Sequence, residues 1–292
     1  MRYEGNIFRP PSEAYSYLLQ CTIGCSHNRC TFCAMYKDKK YRIRDLDDIK
    51  TDIRMAKSYH GDLEKIFLCD GDALAMPTEM LIDIITTLYK TFPSLRHVGT
   101  YAGPDSIMEK SMDELIAIKN AGLTIGYLGV ETGDNQLLLD IKKGVDYEGM
   151  RDAGIRFRAA GIQLSCIVLL GLAGKGERSG EHARATGKIL SEIDPEYAGA
   201  LTLMLVPGTP MFRQSERGEF QLPNEWEVLE EMRELIAHME VNNCEFRSNH
   251  ASNYLPIKGH LPHDRGRLLK VIDDILVKHD RRYLRPDYMR GL

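Results

Sequence analysis

Hydrophobic and polar positions follow two periods along the first two thirds of the chain, and these periods predict strands and helices in turn. Short apolar runs, typical of strands buried in a parallel sheet, precede stretches in which apolar residues recur every three or four positions. The predicted strands are residues 14–20, 65–69, 95–101, 124–130, 163–170 and 197–206. The predicted helices are residues 45–60, 77–89, 111–121, 134–142, 147–160 and 177–192.

Six βα-type units in about 190 residues predict an α/β fold with a parallel sheet and helices outside it. Six units are too few for a closed eight-fold barrel, so a partial (βα)6 TIM-like barrel, or a doubly wound sheet, fits better. After residue 206, two helices are predicted at 224–241 and 266–279, with an irregular polar stretch between them at 247–260. We therefore predict a core domain at residues 1–210. The remaining residues, 211–292, form a C-terminal α-rich extension that covers the barrel mouth and is not a separate domain.

The composition narrows the class of protein. With 43% hydrophobic and 27% charged residues, the chain of 292 residues is expected to be globular with a sizeable core. A net charge of −4 argues against a protein that grips nucleic acid over its surface, and no nucleic-acid partner is expected. No apolar run approaches the roughly 18 residues of a membrane span, and the first residues lack a signal-peptide pattern. The expected location is cytoplasmic, with reduced cysteines.

The chemistry is concentrated in a cysteine loop. Four of the seven cysteines fall within thirteen residues, as Cys21-x3-Cys25-x4-Cys30-x2-Cys33. Three interpretations compete: a structural zinc site on four cysteines, a four-ligand iron–sulfur cluster, and a [4Fe–4S] cluster on three cysteines with one open iron. The loop follows the first predicted strand, where parallel α/β folds build their sites, and this position favours the third interpretation.

The segment Gly-Cys25-x4-Cys30-Thr-Phe32-Cys33 resembles the cluster loop of the radical S-adenosylmethionine (radical SAM) superfamily, in the form seen in methylthiotransferase-like and coproporphyrinogen-dehydrogenase-like members. The resemblance implies Cys25, Cys30 and Cys33 as cluster ligands and Phe32 as a cofactor contact. The family usually has three residues between the first two cysteines, and this chain has four. Cys21 therefore stays an alternative first ligand, and as a fourth ligand it would close the open iron.

Later segments extend the resemblance in the family's order. Asp70-Gly71-Asp72, after the second strand, is similar to the stretch that meets the methionine amino group, although an ordinary turn fits too. Glu131, after the fourth strand, is similar to the ribose contact, with a helix cap as the alternative. On the fifth strand, which ends in glycine as the strand near adenine does, the implied cofactor contacts are Ser165 and Gly171.

The resemblance implies a reaction. A [4Fe–4S] cluster and S-adenosylmethionine would be the cofactors, and reductive cleavage would give a 5′-deoxyadenosyl radical that abstracts hydrogen from a small-molecule substrate. The electron would come from a flavodoxin or ferredoxin. In the polar stretch, His250 and Tyr254 are the predicted proton-transfer residues. The alternative from another class is a non-catalytic binding or scaffold protein stabilised by zinc or by a four-cysteine cluster.

Overall fold

The computed structural model describes residues 2–291, which contain ten strands and ten α-helices. The strands are β1 (Tyr17–Gln20), β2 (Thr22–Ile23), β3 (Arg42–Ile43), β4 (Lys65–Cys69), β5 (His97–Tyr101), β6 (Ile125–Glu131), β7 (Gln163–Leu170), β8 (Tyr197–Thr202), β9 (Cys244–Arg247) and β10 (Lys258–Leu261). The helices are α1 (Leu46–His60), α2 (Thr78–Thr91), α3 (Pro104–Glu109), α4 (Met112–Ala121), α5 (Asn135–Asp140), α6 (Tyr147–Ala159), α7 (Glu177–Ile193), α8 (Pro210–Glu216), α9 (Glu225–Ala237) and α10 (Arg265–Lys278).

The chain divides into two compact units. The first comprises Met1–Asn28, Met35–Leu128 and Arg156–Leu164, and the second comprises Arg29–Ala34, Gly129–Ile155 and Ser165–Leu292. In both units parallel strands alternate with helices, so the predicted α/β class is confirmed. The domain boundary that we predicted at residue 210 falls inside the second unit and stays a prediction.

The first unit is a parallel sheet in the order β1, β4, β5 and the start of β6. Phe67 on β4 packs edge-to-face on Tyr101 and Tyr127, with ring centroids 5.1 and 5.8 Å apart. β2 and β3 form a separate antiparallel pair, in which Thr22 faces Ile43. The chain therefore passes from β1 through β2, which pairs with β3, before the rest of the cysteine loop begins.

Local sequence sets where the helices of this unit begin. Before α1, the Asp45 carboxylate accepts hydrogen bonds from the N–H groups of Asp47 and Asp48, which satisfies donors that have no partner within the helix. α1 ends at Gly61, whose φ of 72° lies in the left-handed region that favours glycine. The prediction of a helix over 45–60 is thus confirmed to within one residue.

The second unit holds β7, β8 and β9 as parallel neighbours, with β10 antiparallel to β9. The extension after residue 211 is therefore not only helical: β9 and β10 reach into the stretch 247–260, which we had expected to be irregular. Four-residue strands are too short to show a period in the sequence, and their pairing with β8 and with each other holds them in place.

Two strand ends differ from the prediction by three residues or more. β1 starts at Tyr17 because Pro11–Glu13 forms a 3-10 turn before it, and β8 ends at Thr202, four residues before the predicted end.

Over residues 2–291, no helix combines the length and the apolar character that a bilayer-spanning segment needs.

Candidate functional site

The four clustered cysteines lie in two different environments. Cys21 is fully buried at the end of β1, its thiol donates to the Leu19 carbonyl at 3.5 Å, and burial raises its pKa to about 12. Cys25, Cys30 and Cys33 are each partly exposed. Cys25 belongs to the first unit and the other two to the second. Within the described part of the chain, no three His, Cys, Asp or Glu side chains are already assembled into a metal site, so the convergence of these thiols stays a prediction.

Asp70, at the end of β4, fixes the start of the cysteine loop. One of its carboxylate oxygens, Oδ2, accepts hydrogen bonds from the Gly24 N–H at 3.0 Å and from Lys39 Nζ at 2.7 Å. The ion pair is shielded from solvent, because the Asp70 and Lys39 side chains are 0% and 5% exposed. The second oxygen, Oδ1, is buried and has no hydrogen-bond partner among the described residues. Asp70 thus positions the residue before Cys25 and keeps one acceptor unused.

Gly71 lies directly against Cys25. Its N–H donates to the Gly24 carbonyl at 3.0 Å, so the two loops are joined by backbone as well as by the Asp70 side chain. A Cβ at position 71 would lie 2.7 Å from both the Cys25 Cβ and the Tyr36 ring. Only glycine allows the β4 loop to approach the cysteine loop this closely.

Asp72 completes the same contact. Its carboxylate accepts hydrogen bonds from the Ser26 hydroxyl at 2.7 Å, from the Gly103 N–H at 3.3 Å and from the Ser106 hydroxyl. The side chain is almost wholly buried, and burial raises its pKa. Residues 24–26 and 70–72 therefore form one hydrogen-bonded unit, which we call the loop clamp.

The extra residue of the cysteine loop is accommodated at Asn28. This residue has a left-handed backbone with φ of 43°, a conformation that asparagine tolerates better than most residues. Its side-chain amide donates to the Tyr36 carbonyl at 2.7 Å, and Lys37 Nζ donates to the Asn28 carbonyl at 2.7 Å. The buried Tyr36 hydroxyl has no hydrogen-bond partner within residues 2–291. Sequence reasoning missed Asn28, Tyr36 and Lys39 because polar residues near a loop carry no periodic pattern.

In the second unit, the segment that carries Cys30 and Cys33 is anchored by its neighbours. The Thr31 N–H donates to the Ile141 carbonyl at 2.9 Å, and the Met211 N–H donates to the Thr31 carbonyl at 3.1 Å. The Phe32 ring packs on an apolar cluster formed by Leu137, Ile141, Leu172, Leu203 and Met211. Phe32 therefore rests on the ends of α5 and α8 and stays partly exposed.

Glu131 ends β6 with a left-handed backbone, φ 63°, which is uncommon for a residue other than glycine. Its carboxylate is paired with Lys143 Nζ at 2.8 Å, and both side chains are 11% exposed. The helix cap is instead Asp134, whose carboxylate accepts the Leu137 N–H at 3.0 Å. The capping role that we weighed against a ribose contact thus belongs to Asp134 and not to Glu131.

The end of β7 is held by a buried network that sequence reasoning missed. Gly171, with φ of 79°, donates its N–H to the Glu231 carboxylate at 2.6 Å. His182 lies 3.4 Å from the same carboxylate oxygen, and its Nε2 donates to the Leu169 carbonyl at 3.0 Å. The other ring nitrogen of His182 accepts from the Thr132 hydroxyl at 2.7 Å. The network joins the loops after β6 and β7, and Ser165 lies buried farther down β7.

His250 and Tyr254 lie in the loop between β9 and β10 and are tied into the second unit. The His250 Nδ1 accepts from the Ser252 N–H at 3.1 Å, so the proton of the neutral ring is on Nε2. Burial, and then the Arg285 charge, lower the pKa of His250. The Tyr254 hydroxyl donates to Asp287 at 3.1 Å, and the Arg290 guanidinium lies 3.9 Å from its ring centroid. Burial raises the pKa of Tyr254 to about 12.

Comparison with known proteins identifies the family. The sequence model of the radical SAM superfamily matches residues 19–185, more than half of the chain. The heme chaperone HemW of Bacillus subtilis (strain 168) is 26% identical over 192 residues, which cover 64% of this chain and 49% of HemW. The chain thus spans about half the length of this curated relative.

Solved structures agree on the fold. TsrM of Kitasatospora setae, a radical S-adenosylmethionine methyltransferase with cobalamin and a [4Fe–4S] cluster bound, matches with a TM-score of 0.56 at 20% identity, over 74% of this chain and 43% of TsrM. Methylornithine synthase (PylB) matches with a TM-score of 0.54 at 15% identity, over 89% and 81% of the two chains.

The fold is therefore the predicted partial TIM-like barrel, and no closed barrel is formed within the described residues. The chain belongs to the radical SAM superfamily, whose members use a [4Fe–4S] cluster and S-adenosylmethionine. It is accordingly an enzyme of that superfamily.

Proposed function

We propose that this enzyme cleaves S-adenosylmethionine reductively and abstracts hydrogen from a small-molecule substrate. The observation that carries the proposal is the loop clamp, which holds the partly exposed Cys25 just after β2. There Cys25 lies against a glycine position that has no room for a side chain. When bound, the cluster would supply the electron that splits the sulfonium into methionine and a 5′-deoxyadenosyl radical.

The residues present fit a cluster on Cys25, Cys30 and Cys33. Cluster ligands must be thiolates, and all three cysteines are partly exposed. Cys21 does not fit, because it is fully buried and its pKa is raised to about 12. The contacts of Asn28 support this choice, since they give the extra residue between the first two ligands a defined conformation.

For S-adenosylmethionine, we assign different tasks to the predicted residues. Asp70, whose side chain is fully buried, keeps the loops together with Gly71 and Asp72, and the carbonyl groups of this segment would supply acceptors for the methionine ammonium. Glu131, with its charge balanced by Lys143, accepts hydrogen bonds from the ribose hydroxyls. The remaining cofactor contacts are proposed on the second unit, and they are Phe32, Ser165 and Gly171.

The electron donor that we propose is a flavodoxin or ferredoxin, because the cluster needs a low-potential one-electron reductant. The chaperone and methyltransferase activities in the names of HemW and TsrM belong to those proteins.

We further propose that His250 exchanges a proton with the substrate and that Tyr254 assists it. The lowered pKa keeps His250 neutral at neutral pH, and its Nε2 then carries the proton that it would donate to the substrate. H250A is expected to lower product formation while leaving the iron content unchanged. The matched control is H263A, at a side chain that is 90% exposed. Product formation by H250A equal to that of the wild type would remove the role.

The experiment for the whole proposal is anaerobic reconstitution, reduction with dithionite, and electron paramagnetic resonance with and without S-adenosylmethionine. A [4Fe–4S]+ signal that changes on addition, together with 5′-deoxyadenosine in the products, is expected. A signal that ignores S-adenosylmethionine, or stoichiometric zinc in place of iron, would contradict the proposal and favour the scaffold interpretation.

A further inference from the structure

The sheet of the second unit has one face that is accessible. Along β8 and β9, each second residue is partly exposed and the residues between them are buried. The buried set includes Ala198, Ala200 and Phe246, and the accessible set includes Tyr197, Gly199 and Arg247. Because successive side chains of a strand point to opposite faces, the accessible set lines one surface.

The register arranges this surface in rows across the strands. Ile167, Gly199 and Arg247 lie side by side on β7, β8 and β9. The next row toward the amino ends of the strands contains Tyr197 and Glu245. The row toward the carboxyl ends is apolar and pairs Leu169 with Leu201. The surface thus changes from charged to apolar in the direction in which the cofactor loops leave the sheet.

Gly199 has no side chain in the middle of this surface and leaves the strand backbone partly exposed there. A glycine inside a strand weakens it and often marks a close approach by a ligand or another backbone. The nearest atom to a Cβ at this position would be Ile167 Cδ1 at 3.1 Å. The neighbours on either side are the side chains of Ile167 and Arg247. The accessible backbone at Gly199 is therefore bordered by an apolar side chain on one strand and by an arginine on the other.

The two charged residues of β9 each retain an unused group. Arg247 donates through Nε to one Glu245 oxygen, Oε1, and its second contact, through a terminal nitrogen, is to the same oxygen at 2.5 Å. Neither side chain makes another hydrogen bond within residues 2–291, so Oε2 of Glu245 and the second terminal nitrogen of Arg247 are open. The Arg247 guanidinium lies over the Tyr197 ring, 6.0 Å from its centroid. The side chains are 38% and 23% exposed, so a ligand can reach both.

We propose that this surface binds the head group of an α-amino acid as the substrate, with its carboxylate on Arg247, its ammonium on Glu245 and its side chain over Gly199. A guanidinium takes a carboxylate in a paired geometry, and a carboxylate oxygen accepts from an ammonium. Two residues of strand correspond to about 7 Å, so the ligand's side chain reaches the apolar row of Leu169 and Leu201. This inference rests on the proposed function, since it names the substrate class of that enzyme.

The test is calorimetric binding to the cluster-loaded enzyme, kept oxidised and saturated with S-adenosylmethionine so that the cofactor's own amino-acid group cannot be displaced by the probe. The probes are L-leucine, L-leucinamide, which lacks the carboxylate, and N-acetyl-L-leucine, which lacks the ammonium. L-leucine is expected to bind at least tenfold more tightly than either analogue, because each analogue leaves one charged partner unmatched.

Variants assign the two contacts. R247Q is expected to lower the affinity for L-leucine at least tenfold, so that L-leucine binds no more tightly than L-leucinamide. In E245Q, L-leucine is expected to bind no more tightly than N-acetyl-L-leucine. The matched control is R217Q, because Arg217 pairs in the same way with a glutamate two residues away, Glu219, on the surface. Unchanged iron content and unfolding temperature show that a variant is folded.

The outcomes separate this inference from the proposed function. Equal affinity for the three probes, no heat with any of them, or wild-type binding by R247Q would overturn the amino-acid site. In the same preparation, 5′-deoxyadenosine formation after reduction tests the proposed function without an added probe. Cofactor cleavage without L-leucine binding removes only the substrate class, and L-leucine binding without cleavage removes only the proposed function.

Discussion

At the scale of single residues, Gly71 and Cys25 show how closely the two loops approach. A Cβ at position 71 would lie 2.7 Å from the Cys25 Cβ, which is nearer than carbon atoms pack without displacement. The loop carrying the first proposed ligand is therefore built around a missing side chain. The motif Asp70-Gly71-Asp72 suggested this position in the sequence, but not the neighbour that Gly71 meets.

We expect G71A to fold but to bind little iron, because the added methyl group moves Cys25. G266A is the matched control, since a Cβ there meets nothing within 4 Å and α10 gains from the loss of a helical glycine. Iron per protein after anaerobic reconstitution is the measurement, with the unfolding temperature beside it. Wild-type iron content in G71A would show that the close approach does not matter for the site.

The choice between Cys21 and Cys25 is also made at this scale. C25A is expected to abolish cluster absorbance, whereas C21A is expected to keep the cluster and lose about 1 kcal/mol of stability through a small cavity. Both substitutions remove one sulfur atom, so the absorbance near 400 nm and the free energy of unfolding of the two variants can be compared directly. A cluster retained by C25A and lost from C21A would exchange the two assignments.

At the scale of elements, the start of α4 is stabilised by a reciprocal pair of hydrogen bonds. The Ser111 hydroxyl accepts from the Glu114 N–H, and the Glu114 carboxylate accepts from the Ser111 N–H at 2.8 Å. The Ser111 backbone and the Thr78 hydroxyl hold the pKa of Glu114 at about 2, against an ordinary value of 4.5. The carboxylate therefore contributes stability that is fully present above pH 4.5 and is lost as the pH falls toward 2.

E114Q is expected to be less stable than the wild type at pH 6, and the difference is expected to shrink between pH 4.5 and 2. Urea unfolding across that range measures it, with E181Q, at an exposed position of α7, as the control. A difference that stays constant with pH would mean that the charge of Glu114 is not what stabilises α4.

At the scale of the whole chain, Glu13 joins distant segments of the first unit. Its buried carboxylate accepts hydrogen bonds from Tyr127 at 2.6 Å and from Ser16, and lies 2.8 Å from His97. Burial alone would raise its pKa, but the contacts with His97, Ser16 and Tyr127 lower it overall. The stability that this carboxylate supplies is present above the unfolded pKa and is lost as the pH falls through the lowered value.

We expect E13Q to cost about 2 kcal/mol at pH 7, because it removes a charged acceptor from three partners, of which Tyr127 and Ser16 are buried. S16A, which removes only one of those donors, is expected to cost less. Denaturant unfolding at pH 7 and pH 4 is the measurement, and a loss in E13Q that is no larger than in S16A would assign the stability to packing instead.

The elements that could be predicted are those with a long periodic pattern of their own. Helices such as α1 and the strand β7 follow from amphipathic or continuous apolar patterns, and both were predicted to within one residue. β9 and β10 could not be predicted in this way, since their four residues are stabilised by β8 and by each other. The loop clamp was half predicted: Asp70, Gly71 and Asp72 stand out in the sequence, and their partners do not.

Periodicity and residue chemistry are local properties, so the α/β class, the cysteine loop and the order of the motifs follow from the residues alone. The burial of Cys21 beside a partly exposed Cys25 is visible only in the folded chain. The same holds for the contact of His182 with Glu231 under Gly171 and for the position of Arg247 beside Gly199. These pairs are distant in the chain or depend on strand register, and a side chain's exposure and charge environment are set by neighbours that only the folded chain brings together.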